Sequence, residues 1–403
     1  MLNSIAKIFF FACLLLTLNQ ALAEHVESLY DVEVLVVDET ADTRWGAFNK
    51  GLDEVFIRIS GDSIIMDKLE RPAASRYIQQ YSYEPVEETV TNEDGEQLKY
   101  RLKIQYNGHA MAGYLREKGF PVWGEHRPEL IIWLAIRDGR NEYVLKEGDK
   151  SLLKASADEA LHRRGIPERW PLYDNKDRKI LNVADIRGGF REPVLKASKR
   201  YSRGPALTGS LIWSGSKWQS SWSLLMESSN RHWSIEDADY NQLINKAVDQ
   251  AADAMGIVFA IHGIGKDQDL ASIQLHVQSV NSISKYRKLE NYLRDLSAVA
   301  SVVPLIVDGQ SATFELSLRS NEADFLNLVK NDAELLQVKP VKPVLVQPAE
   351  TQDKAAVAEK SADIPGNTVE GNATQSLQNT SQVMTPGVQN KPQIPIYYYK
   401  LIK

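Results

Sequence analysis

The chain has 403 residues, 43% of them hydrophobic, with a formal net charge of −6 and a mean hydropathy of −0.33. A chain of this length has room for about two to four globular domains with real cores. Its single cysteine, Cys13, excludes a disulfide framework and a cysteine-ligated metal site.

Residues 1–23 have the pattern of a cleavable signal peptide. Lys7 precedes an apolar run, Ile8–Leu18, and Ala21-Leu22-Ala23 is the small-x-small sequence that signal peptidase cuts after. The apolar run is shorter than the roughly 20 residues needed to span a bilayer. We therefore expect cleavage after Ala23, a periplasmic protein, and no transmembrane segment after cleavage.

The first predicted domain covers residues 28–125 and has the element order of a ferredoxin-like fold, β-α-β-β-α-β. Apolar residues alternate in its strands and recur at helical spacing in its helices. Asp94-Gly95 favours a hairpin turn between the second and third strands. The clearest of these elements lie at residues 30–36, 45–59, 98–106, 108–118 and 120–123.

The second predicted domain covers residues 127–262 and is a mostly antiparallel sheet covered by helices. Its first strand, Leu130–Ile136, is apolar throughout, which is typical of a buried strand. A three-strand meander follows later in the domain, and a long amphipathic helix comes after it. The meander contains four of the eight tryptophans, which we expect to form the core of this domain: Trp213, Trp218, Trp222 and Trp233.

The third predicted domain, residues 270–338, repeats the ferredoxin-like element order of the first. The composition then changes to Pro, Gln, Ala, Thr, Asn and Ser, so residues 339–403 are predicted to form a disordered tail. The end of this tail, Ile394–Ile402, is apolar and aromatic. It is open to three interpretations: a docking motif that adds to a sheet edge, a strand that folds back on its own domain, or an end without a role. The whole chain is predicted to be α+β.

The sequence contains no constellation of residues that would carry catalysis. Ser-x-x-Lys occurs three times, but the Lys-Ser/Thr-Gly that accompanies it in penicillin-binding enzymes is missing, as is Gly-x-Ser-x-Gly. No two of the seven histidines are spaced three or four apart, as a metal pair on a helix requires. Asp174, Asp177 and Asp185 could form a carboxylate site, but surface ion pairs with the neighbouring cations explain them better. We therefore predict no catalytic residue, no cofactor and no metal site, and we do not expect an enzyme.

Residues 160–203 form a basic segment inside an acidic protein. They contain twelve lysines and arginines against five acids, a net charge of +7. A predicted helix at 193–201 places two cationic rows side by side, which favours an anionic partner, although a solvated surface would have the same composition. The partner expected in the periplasm is an envelope protein or an anionic glycan or lipid, and not a nucleic acid. The candidate binding residues are Arg187, Arg191, Lys196, Lys199, Arg200 and Arg203.

Several short motifs carry a resemblance to a known family. They are Trp45–Leu52, Arg58–Asp62, Trp170–Asp174, Ala197–Tyr201, Trp218 and Trp222. By these motifs the chain, over about residues 25–340, resembles an uncharacterised proteobacterial family of exported proteins, a domain of unknown function numbered twenty sixty-six. The resemblance implies export but no activity.

The second domain is also similar to envelope domains of penicillin-binding-protein activators, curli-secretion lipoproteins and the amino-terminal domain of the Tol translocation protein. That similarity implies an adaptor or assembly role. The chain differs from the two lipoprotein groups because it lacks a lipid-anchored cysteine.

Together these features predict a non-catalytic periplasmic adaptor or assembly protein. It would bind an anionic envelope component or a protein partner through the basic segment. One alternative is a hydrolase acting on cell-wall or lipid substrates, which would have a deep polar cleft with converging carboxylates or histidines. Another is a periplasmic ligand carrier, which would have an apolar cavity.

Overall fold

The computed structural model describes residues 29–92, 94–263, 270–332, 334–339 and 394–402. The predicted signal peptide, residues 1–23, lies outside the described residues, and so does most of the predicted tail, residues 340–393.

The described residues form a mixed α+β fold, which confirms the predicted class. None of their helices combines the length and the apolar character needed to cross a bilayer. The strands are β1 (Asp31–Val36), β2 (Ile78–Thr91), β3 (Gln97–Tyr106), β4 (Leu130–Asp138), β5 (Asn141–Val144), β6 (Glu168–Arg169), β7 (Ala206–Trp213), β8 (Trp218–Leu225), β9 (Asn230–Asp237), β10 (Ser272–Gln278), β11 (Val299–Val307), β12 (Ser311–Leu318), β13 (Leu335–Gln337) and β14 (Ile396–Leu401). The α-helices are α1 (Ala41–Ser60), α2 (Gly108–Glu117), α3 (Leu152–Arg163), α4 (Asn175–Arg178), α5 (Val183–Gly188), α6 (Arg191–Ser198), α7 (Tyr240–Phe259), α8 (Ile283–Asp295) and α9 (Glu322–Asp332).

The first sheet is antiparallel, with the strand order β1-β3-β2. Alternate residues of β1 and β3 point to α1, which buries Leu52, Phe56 and Ile59 against them. The strand predicted at 120–123 does not join this sheet. Val122 instead forms an isolated antiparallel bridge with Ile261, just after α7. The ferredoxin-like order is therefore incomplete here, because the last segment of the domain pairs with the second domain.

The second sheet has the strand order β5-β4-β7-β8-β9, with β6 also paired to β4. Strand β4 is parallel to β6 and β7, and the other pairs are antiparallel. Helices α3 and α7 cover one face, where Leu130, Ile132 and Leu134 point. The segment with α4, α5 and α6 covers the opposite face, which receives Ile131 and Trp133. The continuous apolar run of β4 follows from this burial on both faces.

The tryptophans of the meander do not form one core, in contrast to the sequence prediction. Trp222 is buried, whereas Trp218 and Trp233 are only partly buried at the margin of the core: Trp218 is the first residue of β8, and Trp233 lies on the edge strand β9. Trp213 contacts Trp218, with ring centroids 5.3 Å apart, and is itself only partly buried. The most deeply buried indoles are those of Trp123 and Trp133.

The third sheet has the strand order β11-β12-β10-β14-β13. The C-terminal strand β14 therefore lies inside this sheet, parallel to β10 and antiparallel to β13. The side chains of Tyr399 and Leu401 are buried in the shared core of the second and third sheets. Of the three interpretations of the apolar end, the structure has the strand that folds back on its own domain.

Buried arginines join the first sheet to the second. The Arg127 guanidinium donates to the carbonyl oxygens of Arg58 at 2.7 Å and Arg164 at 3.0 Å, and it lies over the Trp123 ring at 4.2 Å. Arg164 in turn donates to Asp253 of α7 at 2.7 Å. Because carbonyl and carboxylate oxygens accept these hydrogen bonds, the buried charges are compensated.

The position of β14 predicts that the C-terminal residues stabilise the third sheet. Leu401→Ala should lower the free energy of unfolding by about 2 kcal/mol, since it removes a buried leucine side chain at a strand end. Denaturant unfolding of the full chain measures this value. The adjacent exposed residue provides the control, because Lys400→Ala should change the stability by less than about 0.5 kcal/mol. Equal effects of the two substitutions would contradict the burial of β14.

Candidate functional site

Helix α6 is fixed to the second sheet by its buried side. Val194, Ala197 and Ser198 face the sheet. The Trp133 indole Nε1–H of β4 donates to Ser198 Oγ at 2.9 Å, and Ser198 Oγ–H donates to the Val194 carbonyl at 2.8 Å. The buried indole and hydroxyl are thereby satisfied, and the polar side of α6 must face outward.

Two of the six candidate binding residues are used inside the protein. Arg187 forms an ion pair with Glu142 of β5, with an Nη1–Oε1 distance of 3.1 Å. Arg191 donates to the carbonyl oxygen of Met226 at 2.9 Å and to the side chain of Asn230, in the turn between β8 and β9. These contacts hold α5 and α6 to the sheet margins. Because both arginines are also only partly exposed, we leave them out of the surface considered for binding.

Arg200 is also bound internally, in a cluster with two aspartates and a tyrosine. Its guanidinium donates to Asp174 at 2.7 and 2.8 Å and to the buried Asp177 at 3.0 Å. The Tyr201 hydroxyl donates to Asp177 at 2.5 Å. Hydrogen bonds from Arg200 hold the pKa of Asp174 far below its usual range, while burial and the bond to Asp177 raise the pKa of Tyr201 to about 12. This Arg200 cluster ties α4 to the chain after α6.

The Arg200 cluster brings two exposed groups of cations together. Lys196, Lys199 and Arg203 follow the outer side and end of α6, and all three are exposed. Lys176 and Arg178 of α4 and Lys179 directly after it add three more cations. They belong to the basic segment but are not among the six candidate binding residues. We define the basic surface as these six exposed residues: Lys176, Arg178, Lys179, Lys196, Lys199 and Arg203.

Arginine and lysine have different roles in the basic segment. Seven of its eight arginines donate hydrogen bonds within the protein; Arg203 is the exception among the described contacts. Its four lysines have no side-chain hydrogen bond or ion pair with any described residue. The bidentate geometry of guanidinium suits internal clamps, whereas lysine presents a hydrated point charge. The basic surface is therefore mainly a lysine surface.

A second feature is an open cleft between the first sheet and helices α3 and α7. Its volume is about 1700 Å³, and its lining combines apolar residues with polar and charged ones. Three of its carboxylates are partners of cations: Glu33 of Arg101, Glu54 of Arg58, and Asp249 of both Arg163 and Arg164. These ion pairs occupy three of the carboxylates that a hydrolase would need in such a cleft.

A serine and a histidine meet on the second sheet. Ser223 Oγ and His232 Nδ1 are 2.7 Å apart across β8 and β9. The serine is buried beneath Gly189, which has a φ of 59°, and an added Cβ there would lie 2.2 Å from Ser223 Oγ. A nucleophile needs an exposed oxygen and a base oriented by a third group. Ser223 lacks that exposure, so we interpret its contact with His232 as a structural hydrogen bond between neighbouring strands.

The aspartates considered as a carboxylate site have structural roles. Asp174 caps α4 and Asp185 completes the capping box of α5 with Asn182, while Asp177 belongs to the Arg200 cluster. Within the described residues, no group of three or more His, Cys, Asp or Glu side chains is placed to hold a metal ion.

The comparisons with known proteins concern the first domain. Residues 23–124 match a family model described as a domain of unknown function (DUF8605). A domain of unknown function is thus confirmed for these residues, but its number differs from the one that the sequence motifs suggested. No curated protein and no solved structure matches the chain. The similarity of the second domain to activator, curli-secretion and Tol domains accordingly gains no support.

The Arg200 cluster predicts that two neighbouring arginines differ in their effect on stability. Arg200→Ala should lower the unfolding midpoint, because it leaves the buried Asp177 carboxylate without its guanidinium. Arg203→Ala, the matched control, should leave the midpoint unchanged. Thermal and denaturant unfolding of both variants measures the difference, and equal midpoints would contradict the cluster.

The same pair of variants predicts a pH dependence. Because Arg200 lowers the pKa of Asp174 in the folded state, its contribution is present above the usual aspartate pKa of about 3.9 and is lost as the pH falls. The stability difference between the wild type and Arg200→Ala should thus be constant near neutral pH and shrink below about pH 4. A difference that instead grew on acidification would have the wrong sign.

Proposed function

We propose that this protein is a non-catalytic periplasmic adaptor or assembly protein that binds an anionic envelope component, or an acidic protein, through the basic surface. The observation that supports the proposal is the grouping of six exposed cations around the Arg200 cluster, none with an acidic partner among the described residues. Gathered cations attract phosphate and carboxylate groups over a distance and raise the rate of encounter.

The partition of charges favours this surface over the rest of the basic segment. Arginines that hold helices in place are already hydrogen-bonded, so a partner would have to compete with those bonds. The exposed lysines are free of such competition within the described structure. The periplasmic location in the proposal depends on the signal-peptide pattern of residues 1–23.

The two alternatives receive less support. A hydrolase is favoured by the polar groups of the cleft, but three of its carboxylates are already paired with cations. A ligand carrier would need an enclosed apolar cavity, and this cleft is open and has many charged residues in its lining.

Site-specific photocrosslinking tests the binding surface. A photoreactive phenylalanine at the exposed position Glu192 of α6, in the full chain expressed in a Gram-negative host, should crosslink to an envelope component. Lys196→Glu, Lys199→Glu and Arg203→Glu combined should abolish the adduct, because the reversed charges repel an anionic partner.

The control carries the same change in net charge at a distance from the basic surface. Arg76→Glu, Arg287→Glu and Lys330→Glu combined replace exposed cations outside the second sheet, and this variant should retain the adduct. If the first variant keeps the adduct, or if the control loses it equally, the basic surface is not the binding site.

The proposed export has its own test. Mass spectrometry of the protein recovered from the periplasmic fraction should give the mass of residues 24–403, with Glu24 at the amino terminus. An intact chain that stays with the cytoplasmic fraction would refute the periplasmic location.

A further inference from the structure

Two large aliphatic side chains are exposed beside the basic surface. Leu172 is 44% exposed and Ile180 is 37% exposed. The Leu172 amide donates to the Tyr201 hydroxyl at 2.9 Å, and the Ile180 amide donates to the Asp177 carbonyl at 2.9 Å. Both residues therefore adjoin the Arg200 cluster, whose members connect α4 to the chain after α6.

The type of cation distinguishes between two classes of anionic partner. Protein interfaces are enriched in arginine and depleted of lysine, because arginine makes bidentate contacts that survive desolvation. An anionic lipid surface attracts lysine and arginine alike, through charges that stay hydrated near the head groups. Four of the six residues of the basic surface are lysines. The composition thus favours a lipid surface over an acidic protein.

The exposed aliphatic side chains point to the same partner. Basic residues next to exposed leucine or isoleucine are typical of surfaces that lie at the membrane interface, where the apolar groups enter the boundary of head groups and acyl chains. The short α4 and the chain around Leu172 lie on the outer side of the layer that covers the second sheet. Exposed aliphatic side chains are common on this protein, and these two differ from the others in adjoining the basic surface.

We infer that the basic surface binds the head groups of anionic phospholipids, and that Leu172 and Ile180 enter the interfacial region of the membrane. This inference rests on the proposed function and names the partner class of its binding surface. The attachment is peripheral: cations provide the attraction to the surface, and the two aliphatic side chains add apolar contact once the protein has arrived.

Vesicle co-sedimentation of the mature chain, residues 24–403, tests the attraction without the apolar run Ile8–Leu18. The wild type should bind vesicles of phosphatidylglycerol with phosphatidylcholine and should not bind vesicles of phosphatidylcholine alone. The combined variant Lys196→Glu, Lys199→Glu and Arg203→Glu should bind the anionic vesicles at least about a hundredfold more weakly, since each basic residue near such a surface contributes roughly fivefold and the three glutamates add repulsion. The variant with Arg76→Glu, Arg287→Glu and Lys330→Glu should bind as the wild type does.

A second comparison tests the aliphatic contact. Leu172→Ser with Ile180→Ser should weaken binding to the anionic vesicles about tenfold, for the loss of apolar area. Leu152→Ser with Ile257→Ser is the matched control, because these residues are more exposed, at 75% and 72%, but lie on α3 and α7, which cover the opposite face of the sheet. The control should bind normally.

A spin-label measurement keeps the test independent of the stability of the serine variants. In the mature chain, residues 24–403, which contains no cysteine, a nitroxide on Leu172→Cys should become less accessible to a water-soluble relaxation agent when anionic vesicles are added. The same label on Leu152→Cys should stay accessible. Equal accessibility at position 172 with and without vesicles would overturn the insertion of this side chain.

The outcomes separate this inference from the proposed function. Absence of wild-type binding to anionic vesicles, or equal binding to neutral ones, overturns the lipid inference. If a crosslinked protein adduct at position 192 is nevertheless lost in the combined charge variant, the adaptor proposal stands with an acidic protein as its partner. If the vesicles are not bound and the adduct does not depend on the basic surface, both proposals fail.

Discussion

Burial of strand β4 on both faces is the constraint from which the second domain follows. Its side chains alternate between two separate cores, one under α3 and α7 and one under α5 and α6. A strand with apolar residues on both sides needs a covering layer on each, or one row would face water. The helices at 175–198 form this second layer. Their apolar sides pack on the sheet, so their polar sides face the solvent.

Because the covering layer consists of short helices, side chains rather than helix length hold it in place. The bond from Trp133 to Ser198 fixes α6 from below, and arginines fix the layer at its margins and ends. Helices of four to eight residues are not stable alone. Each of these hydrogen bonds therefore restricts the conformational freedom of a backbone segment that its own helix would not hold in place. The cations left over are the lysines, whose single charged group is less suited to a bidentate clamp. The basic surface thus consists mainly of the lysines that are not used to hold the covering layer on the sheet.

Local patterns in the sequence predict much of this fold. Alternation in β3, helical spacing in α1 and the continuous apolar run of β4 each correspond to an observed element, since each pattern reports directly on burial. The placement of segments distant in sequence is less accessible. The sequence predicts Val122 in the last strand of the first domain, but it forms only an isolated bridge, and its partner is Ile261 of the second domain. Likewise, the pattern that places Trp222 and Trp233 on the inner face of the meander does not tell that β9, which carries Trp233, is the edge strand of the sheet.

The basic segment shows the same limit for function. Net charge identified the region, but charge alone does not separate Arg200, which closes on Asp174 and Asp177, from Lys199 beside it, which stays exposed. The distinction depends on where α4 lies, and α4 is separated from Arg200 by more than twenty residues of chain. One signal was nevertheless present. Asp174 and Asp177, three residues apart at the start of α4, favour a helix cap in which one carboxylate oxygen is left without a backbone donor. Such an oxygen can accept a hydrogen bond from an arginine of a nearby basic helix. A cluster of cations in a sequence therefore predicts a binding surface only when the cations that pair with acceptors inside the protein are not counted.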